Sequence, residues 1–313
     1  MNTPQNSFFR PLLHSGNRAT VYSLERLIAL VPATVWAVLL FGYAAILRIL
    51  LSVSVVLVLD NLGCFIQNRY RNTALPRIRL RGGVLGLLLA LLSPSTLPVW
   101  ILLLGDAGIV LALQLLRSEA RLPLSLPAAV GCLLLLFPAF HSYPLLINSE
   151  NGLTLPELLR SGEKPMLGVG DMLLGRMDGN MGEIASLLLI LGGAYLLVRR
   201  QMGWQIPLAA TVAAGLCAYV IAPDTMSVFY YMGAQLFSGG FVLVLLFIVA
   251  DRSSAPMTGR AGLVYGALFG VLVILLRHYT DWDGSLPAAL LCSLLAKPLD
   301  HWLAPLPFGG RRS

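Results

Sequence analysis

A polar, glycine-rich segment runs directly into an apolar one in the sequence SGEKPMLGVGDMLLGRMDGNMGEIASLLLILGGAYLLVRRQMGW, residues 161–204. The apolar part has the composition of a helix that crosses a membrane. Glu183 stands where the first turn of this helix is expected, and a carboxylate there suits the positive end of the helix dipole. Arg199 and Arg200 follow the apolar part, and paired cations in that place favour the cytoplasmic face. The segment therefore predicts an external loop followed by an inward-running span.

The composition of the whole chain is typical of a membrane protein. Of its 313 residues, 57% are hydrophobic and only 12% are charged, whereas a soluble chain carries roughly 25% charged residues. The formal net charge of +7 arises from Lys and Arg at the ends of apolar runs, and no basic groove with interleaved aromatics is present. We therefore expect a protein that lies in a lipid bilayer and does not bind nucleic acid.

Ten apolar runs predict an all-α polytopic membrane protein of about ten transmembrane helices, arranged as two five-helix inverted repeats. These runs cover residues 26–43, 44–59, 82–92, 97–116, 124–140, 183–198, 205–221, 226–250, 261–276 and 284–303. The sequence then divides into an N-terminal tail (1–25), a first repeat (26–140), an extracytoplasmic loop (141–182), a second repeat (183–303) and a C-terminal tail (304–313). Because Lys and Arg concentrate at the inner ends, both tails are expected in the cytoplasm.

Two of the runs are interrupted. Run 82–92 is too short to cross easily and ends at Ser93-Pro94. Run 226–250 is interrupted over residues 227–240, which contain Phe229-Tyr230-Tyr231 and Ser238-Gly239-Gly240. Irregular backbone survives at membrane depth only where it is buried in protein or faces water. We therefore expect these interruptions to lie near a functional site. In the external loop, residues 153–159 are expected to form a short surface helix.

Asp106 lies near the middle of run 97–116. A charge at that depth costs about 2.5–3.5 kcal/mol on insertion scales, so an intramembrane carboxylate is a candidate functional group. One interpretation places Asp106 on an ion or proton path. The other is a structural, protonated or hydrogen-bonded Asp beside Gly105 and Gly108.

Asp283 belongs to a polar cluster with Arg277, His278 and Asp281 at the expected outer end of the ninth run. This cluster is either a proton or ion relay or an ordinary solvated turn. Asp106 and Asp283 are therefore the two candidate ion-path residues. Four widely separated cysteines predict no metal site, and no Walker, HExxH or GxSxG motif occurs in a suitable context. The chain is thus not expected to be catalytic by itself.

A series of short motifs spans the C-terminal half of the chain. They are Gly182-Glu183, Ser186, Leu191-Gly192-Gly193, Arg199-Arg200, Trp204, Ile206-Pro207, Leu236-Phe237-Ser238-Gly239-Gly240, Asp251 with Ser254-Ala255-Pro256, Gly259-Arg260, Gly266, Asp283-Gly284 and Pro298-Leu299-Asp300. In these motifs the sequence resembles the family that contains the D subunit of the Rnf electron-transport complex and the B subunit of the sodium-translocating NADH:quinone reductase.

The resemblance implies an integral membrane subunit of an Rnf-type complex, which couples electron transfer from the NADH or ferredoxin side to ion translocation across the bacterial cytoplasmic (inner) membrane. Its implied partners are other subunits of that complex, both integral membrane subunits and iron–sulfur or flavin subunits. The enzyme is then the multi-subunit oxidoreductase. The alternative is a stand-alone secondary transporter or channel for a small solute or ion.

The resemblance also implies FMN, which the family attaches through a phosphoester to the threonine of a Ser-Gly-Ala-Thr motif. The corresponding residues here are Ser161-Gly162-Glu163-Lys164-Pro165. Lys164 offers no hydroxyl, so covalent FMN is not expected. The candidate residues for a non-covalent flavin, if one is bound, are Ser161, Gly162, Lys164, Glu183, Ser238, Gly239 and Gly240. The glycine pairs 192–193 and 239–240 have close helix packing as the alternative role.

Overall fold

The computed structural model of the chain describes residues 15–70, 80–118, 155–161, 168–175, 179–184, 186–252, 255–280 and 283–303. Within these ranges the regular structure is helical and contains no strand. Helices suit so apolar a chain because they satisfy the backbone hydrogen bonds inside each segment. The all-α membrane class predicted from the sequence is confirmed.

Four helices belong to the N-terminal half. They are α1 (Ser15–Phe41), α2 (Tyr43–Tyr70), α3 (Arg81–Leu92) and α4 (Val99–Ser118). The short α3 packs mainly on α2, and α4 covers α2 beside it. Every residue of α3 from Gly82 to Leu92 is buried, which is the pattern of an interior helix.

The C-terminal half begins with two short helices and continues with longer ones. They are α5 (Leu155–Ser161), α6 (Val169–Leu174), α7 (Ser186–Val198), α8 (Gln205–Ile221), α9 (Val228–Phe237), α10 (Phe241–Val244, extended by the π-helical turn Leu245–Val249), α11 (Gly259–Tyr279) and α12 (Ser285–Leu303). The most extensive helix pair is α8 with α11, and α12 packs on the same α11.

Three helical segments among the described residues are long and apolar enough to cross a membrane. They are Thr20–Phe41, Tyr43–Ile66 and Gly259–Tyr279. A fourth is obtained if the bent pair Val228–Phe237 and Phe241–Val249 counts as one broken span. The other apolar helices are shorter, and the predicted crossing at 124–140 lies outside the described residues.

Both predicted interruptions are present, but the second is shorter than the expected 227–240, because residues 228–237 form a helix. Helix α3 has 12 residues, or about 18 Å, and stops well short of a hydrocarbon core of about 30 Å. Residues 179–184 lie at its carboxyl end, where the Gly182 N–H donates to the Leu91 carbonyl at 2.7 Å. That bond satisfies a carbonyl that the ending helix leaves without a partner. In the other half, α9 and α10 meet at a bend of 55° across residues 238–240.

The two halves interlock through α1 and α7. Helix α1 comes from the first half but packs against α7 of the second. At the contact, a β-carbon on Gly192 would collide with the Ala29 carbonyl oxygen. Only glycine permits this close approach of the two backbones, so at Gly192 the structure favours the packing role over contact with a cofactor.

The helix boundaries differ most from the sequence-based expectation in α1 and α2. Helix α1 begins at Ser15 and not near residue 26, and α2 continues to Tyr70 and not only to 59. The apolar runs mark the lipid-facing part of each helix, whereas the helical hydrogen bonds continue through polar turns. The expected helix at 153–159 is α5 (155–161), whose Leu155 and Leu159 are buried while Arg160 is exposed.

Candidate functional site

The break between α9 and α10 is surrounded by buried charged side chains, which we name the helix-break cluster. The loop before α7, the end of α11 and the start of α12 all contribute to it. The cluster consists of Glu183, Ser238, Gly239, Gly240, Arg277 and Asp283.

Arg277 forms hydrogen bonds with both the end of α9 and Asp283. Its Nη1 donates to the Gln235 carbonyl at 2.6 Å, its Nη2 to the Ser238 carbonyl at 2.9 Å, and its Nη2 and Nε to Asp283 Oδ1 at 2.5 and 3.0 Å. Only 2% of Arg277 is exposed. The first two carbonyls lose their helical partners where α9 stops, and the five-donor guanidinium replaces those bonds. Its charge also suits the negative end of the α9 dipole.

Gly239 allows the chain to turn at the break. Its φ is +59°, a left-handed conformation that favours glycine. A β-carbon on Gly239 would also collide with the Asp283 carboxylate and the Arg277 guanidinium. The next residue, Gly240, donates its N–H to Asp283 Oδ2 at 3.2 Å. The broken backbone is therefore held by Asp283 as well as by Arg277.

Glu183 brings a second buried carboxylate to the break. The Asn180 side-chain amide donates to its Oε1 at 2.7 Å and the Asn180 N–H to its Oε2 at 3.1 Å. A β-carbon on Gly240 would lie 3.4 Å from Glu183 Oε1 and 3.3 Å from Asp283 Oδ2. The two carboxylates thus flank Gly240.

The sequence placed Glu183 in the first turn of its helix, and this is wrong. Helix α7 begins at Ser186, and Glu183 lies in the preceding turn with its side chain directed to Asn180. The Ser186 hydroxyl lies 3.3 Å from the Glu183 carbonyl and 3.1 Å from the Phe237 carbonyl. Glu183 is therefore a residue of the cluster and not an exposed helix cap.

The structure brings five predicted site residues together: Glu183, Ser238, Gly239, Gly240 and Asp283. Of the others, Ser161 ends α5, and Gly162 and Lys164 lie outside the described residues. The solvated-turn interpretation is wrong for Arg277, which is buried. Sequence reasoning missed Asn180 and Gln235; for Gln235 the available signal was an amide within an apolar run.

Asp106 lies elsewhere, where α4 meets α2 and α3. It is fully buried, and its Oδ1 is 2.6 Å from the Ser52 hydroxyl, which is also 2.9 Å from the Gly86 carbonyl. A serine has one proton to donate. If Ser52 donates it to the carbonyl, the short contact with Asp106 requires a proton on the carboxyl. If Ser52 donates to Asp106 instead, the carboxylate is hydrogen-bonded and needs no proton. The structural interpretation and the ion-path interpretation of Asp106 therefore both stay predictions.

A second group of charges, of which Glu25, Arg26 and Asp251 are buried, lies at the other end of α7, about 20 Å away along that helix of 13 residues. We name it the α1-end cluster; it consists of Tyr22, Glu25, Arg26, Arg199, Gln201 and Asp251. Arg26 pairs with Asp251 and stacks on the Tyr22 ring at 4.3 Å. Arg199, interpreted from the sequence only as a topology signal, donates its Nε to Glu25 at 3.0 Å.

The helix-break cluster does not fit a flavin. The space beside Gly239 is already filled by Arg277 and Asp283, and two carboxylates would face the anionic phosphate of FMN. We therefore derive no step through a flavin at residues 238–240. Within the described ranges, no group of three His, Cys, Asp or Glu side chains is placed to hold a metal ion.

Comparison with known proteins agrees with the resemblance. The model of the NQR2, RnfD, RnfE family matches residues 7–309. The D subunit of the ion-translocating oxidoreductase complex of Yersinia enterocolitica is 28% identical over 355 aligned positions, which cover 96% of this chain and 97% of that protein. The proteins of the same name from Alcanivorax borkumensis and Haemophilus ducreyi are 30% and 25% identical, and cover 87% and 96% of this chain. The resemblance is thus confirmed, and the chain belongs to the NQR2, RnfD, RnfE family.

Proposed function

We propose that the chain is the D-type membrane subunit of an ion-translocating oxidoreductase complex of the Rnf type, in which electron transfer drives an ion across the membrane. The family match over residues 7–309 supports this most strongly, because relatives named as the D subunit align over nearly their whole length. The helix-break cluster agrees with it, since charged groups inside membrane proteins are costly and commonly mark ion pathways.

In this proposal the chain has ten spans in two five-helix inverted repeats, lies in the bacterial inner membrane and keeps both termini in the cytoplasm. Each half contains one interrupted helix, α3 in the first and α9–α10 in the second. Residues 179–184 contact both interruptions. Transporters with inverted repeats commonly place their sites at such interruptions. The partners are integral membrane subunits and subunits that carry iron–sulfur clusters or flavin.

Co-purification tests the proposal. A tagged chain, expressed from its own locus and extracted in a mild detergent, is expected to elute with other subunits and with iron–sulfur and flavin absorbance. As a control, Arg260→Ala changes an exposed cation of α11 and should leave the assembly intact. A single monodisperse chain that transports a solute in proteoliposomes would contradict the proposal and favour the stand-alone transporter, which the comparisons do not favour.

For the flavin, we predict that no covalent FMN forms at residues 161–165. A phosphoester needs a hydroxyl, and Lys164 presents an ammonium instead. Lys164 and Arg160 offer charge-assisted hydrogen bonds to a phosphate, so any flavin there is held without a covalent bond. The measurement is flavin fluorescence of the denatured chain on a gel, with peptide mass spectrometry. An FMN mass on the peptide that contains Lys164 would refute the prediction.

The matched variant restores the family motif. Glu163→Ala combined with Lys164→Thr supplies the Ser-Gly-Ala-Thr sequence, and we expect covalent labelling in a host with an active flavin transferase. Glu163→Ala alone is the control and should remain unlabelled.

The proposed topology places residues 141–182 outside the cytoplasm. In a cysteine-free background, Asn151→Cys is expected to react with a membrane-impermeant thiol reagent added from outside. Arg252→Cys, at an exposed position beside the α1-end cluster, is the matched control and should react only from the cytoplasmic side. Reaction of Asn151→Cys only from the cytoplasm would overturn the arrangement of five plus five spans.

A further inference from the structure

The helix-break cluster already contains its own cation. In transporters, the carbonyl oxygens freed by a broken helix commonly coordinate Na⁺. Here the oxygens freed at the end of α9, the carbonyls of Gln235 and Ser238, accept hydrogen bonds from Arg277 at 2.6 and 2.9 Å. Asp283 Oδ1 accepts from the same guanidinium. The place that a metal cation would take is therefore filled by a side chain.

Among the described residues, Glu183 is the carboxylate of the cluster that has no cation of its own. Arg277 makes its charge-assisted bonds to Asp283, whereas the hydrogen bonds to Glu183 come from the neutral Asn180. The charged groups that act on Glu183 from the packed elements are Asp283, before α12, and Arg277, on α11. With all three ionised, the group would carry one uncompensated negative charge in a buried position.

Burial and a neighbouring carboxylate both favour the neutral form of an acid. Glu183 is only 8% exposed, and Asp283 Oδ2 lies near the same point beside Gly240 as Glu183 Oε1. Taking up one proton on Glu183 makes the group electrically neutral. The residues 91–93 at the end of α3, which contact the Glu183 loop, contribute no charged side chain.

We propose that Glu183 binds a proton beside the fixed cation Arg277, so that this helix break handles protons and not metal cations. The reaction is the reversible conversion of the Glu183 carboxylate to the carboxylic acid, with the proton supplied by water. The proposal identifies the proton as the ion in the proposed function. It rests on that function for its role in the cell.

The test is an infrared pH titration of the full chain in lipid nanodiscs, with glutamate labelled by ¹³C at the side-chain carboxyl. We expect a carbonyl band of a protonated acid that carries the isotope shift and disappears as the pH rises. Above about pH 6, where an ordinary glutamate is ionised, the band should be lost in Glu183→Gln. In an Asp106→Asn background with labelled aspartate, the band of Glu183→Asp should titrate at a different midpoint. Asp106→Asn, a change at the other buried acid, should leave the labelled glutamate band in place.

The decisive measurement compares the titration midpoint of the labelled band in sodium chloride with the midpoint in choline chloride at equal ionic strength. If Na⁺ competed with the proton for Glu183, the midpoint of the pH titration would fall by about one pH unit for each tenfold rise in Na⁺ concentration above the Na⁺ dissociation constant. We expect no such shift. A Na⁺-dependent midpoint would overturn the proposal, and so would a labelled band that survives above about pH 6 in Glu183→Gln or is absent from the labelled wild-type chain. Because the titration uses this chain alone, its result is separate from the co-purification result that tests the complex.

Discussion

Replacing Arg277 by alanine is expected to lower the free energy of unfolding by about 3–5 kcal/mol, the usual cost of removing one partner from a buried ion pair. The change leaves the Asp283 carboxylate without its cation and the Gln235 and Ser238 carbonyls without their donor. Denaturation in mixed detergent micelles measures the effect, and reduced accumulation in the membrane is its expected consequence in cells.

A double-mutant cycle with Asp283→Asn separates the ion pair from the carbonyl contacts. The double variant should be less unstable than the sum of the two single variants, because the charge that Arg277→Ala leaves unpaired is then absent. Arg260→Ala is the control on the same helix, where the side chain is exposed and the expected change is small. A near-neutral Arg277→Ala would show that the guanidinium does not hold the helix break.

Replacing Arg26 by methionine is expected to have a similar effect, about 3–5 kcal/mol, at the other end of α7. The variant keeps an unbranched apolar stem but removes the cation from the fully buried Asp251 carboxylate, to which the neutral Tyr22 hydroxyl still donates at 3.0 Å. It also removes the cation stacked on the Tyr22 ring. The expected result is weaker attachment of α1 to the rest of the chain, measured as lower stability to denaturation in mixed detergent micelles.

The neighbouring cation supplies the control for this second prediction. Arg252→Met changes an exposed side chain one residue from Asp251 and should be close to neutral. Adding Asp251→Asn to Arg26→Met removes the carboxylate charge that has lost the Arg26 cation and should restore part of the lost stability. If Arg26→Met were as stable as Arg252→Met, the buried pair would contribute little to holding α1.

The sequence predicted the features of this fold that depend on neighbouring residues. Apolar runs bounded by cations identify the helices, because a long apolar helix is stable in lipid wherever the rest of the chain lies. The interruptions at Ser93-Pro94 and at residues 238–240 were also predictable. Proline cannot donate a backbone hydrogen bond, and Gly239 adopts a positive φ. Each break is therefore determined by a few adjacent residues.

The family could likewise be inferred from the sequence, because its motifs are short runs of adjacent residues such as Gly182-Glu183 and Asp283-Gly284. The sequence did not show how the residues of these motifs act together. The sequence grouped Glu183 with residues 238–240 only as candidates for a non-covalent flavin, and it assigned Asp283 to an ion path. It gave no indication that these residues meet around Arg277.

The tertiary structure decided which charges are buried and with what they pair. Arg277 lies 42 residues from Gln235 and Glu25 lies 174 residues from Arg199, yet each pair is in hydrogen-bond contact. No local pattern contains these contacts, because they arise where the ends of separate helices meet. By itself the sequence therefore determined the membrane class, the helix interruptions and the family. Only the packing of α7, α9, α11 and α12 placed Arg277 on the carbonyls freed at the break and placed Glu183, whose donor among the described residues is the neutral Asn180, beside it.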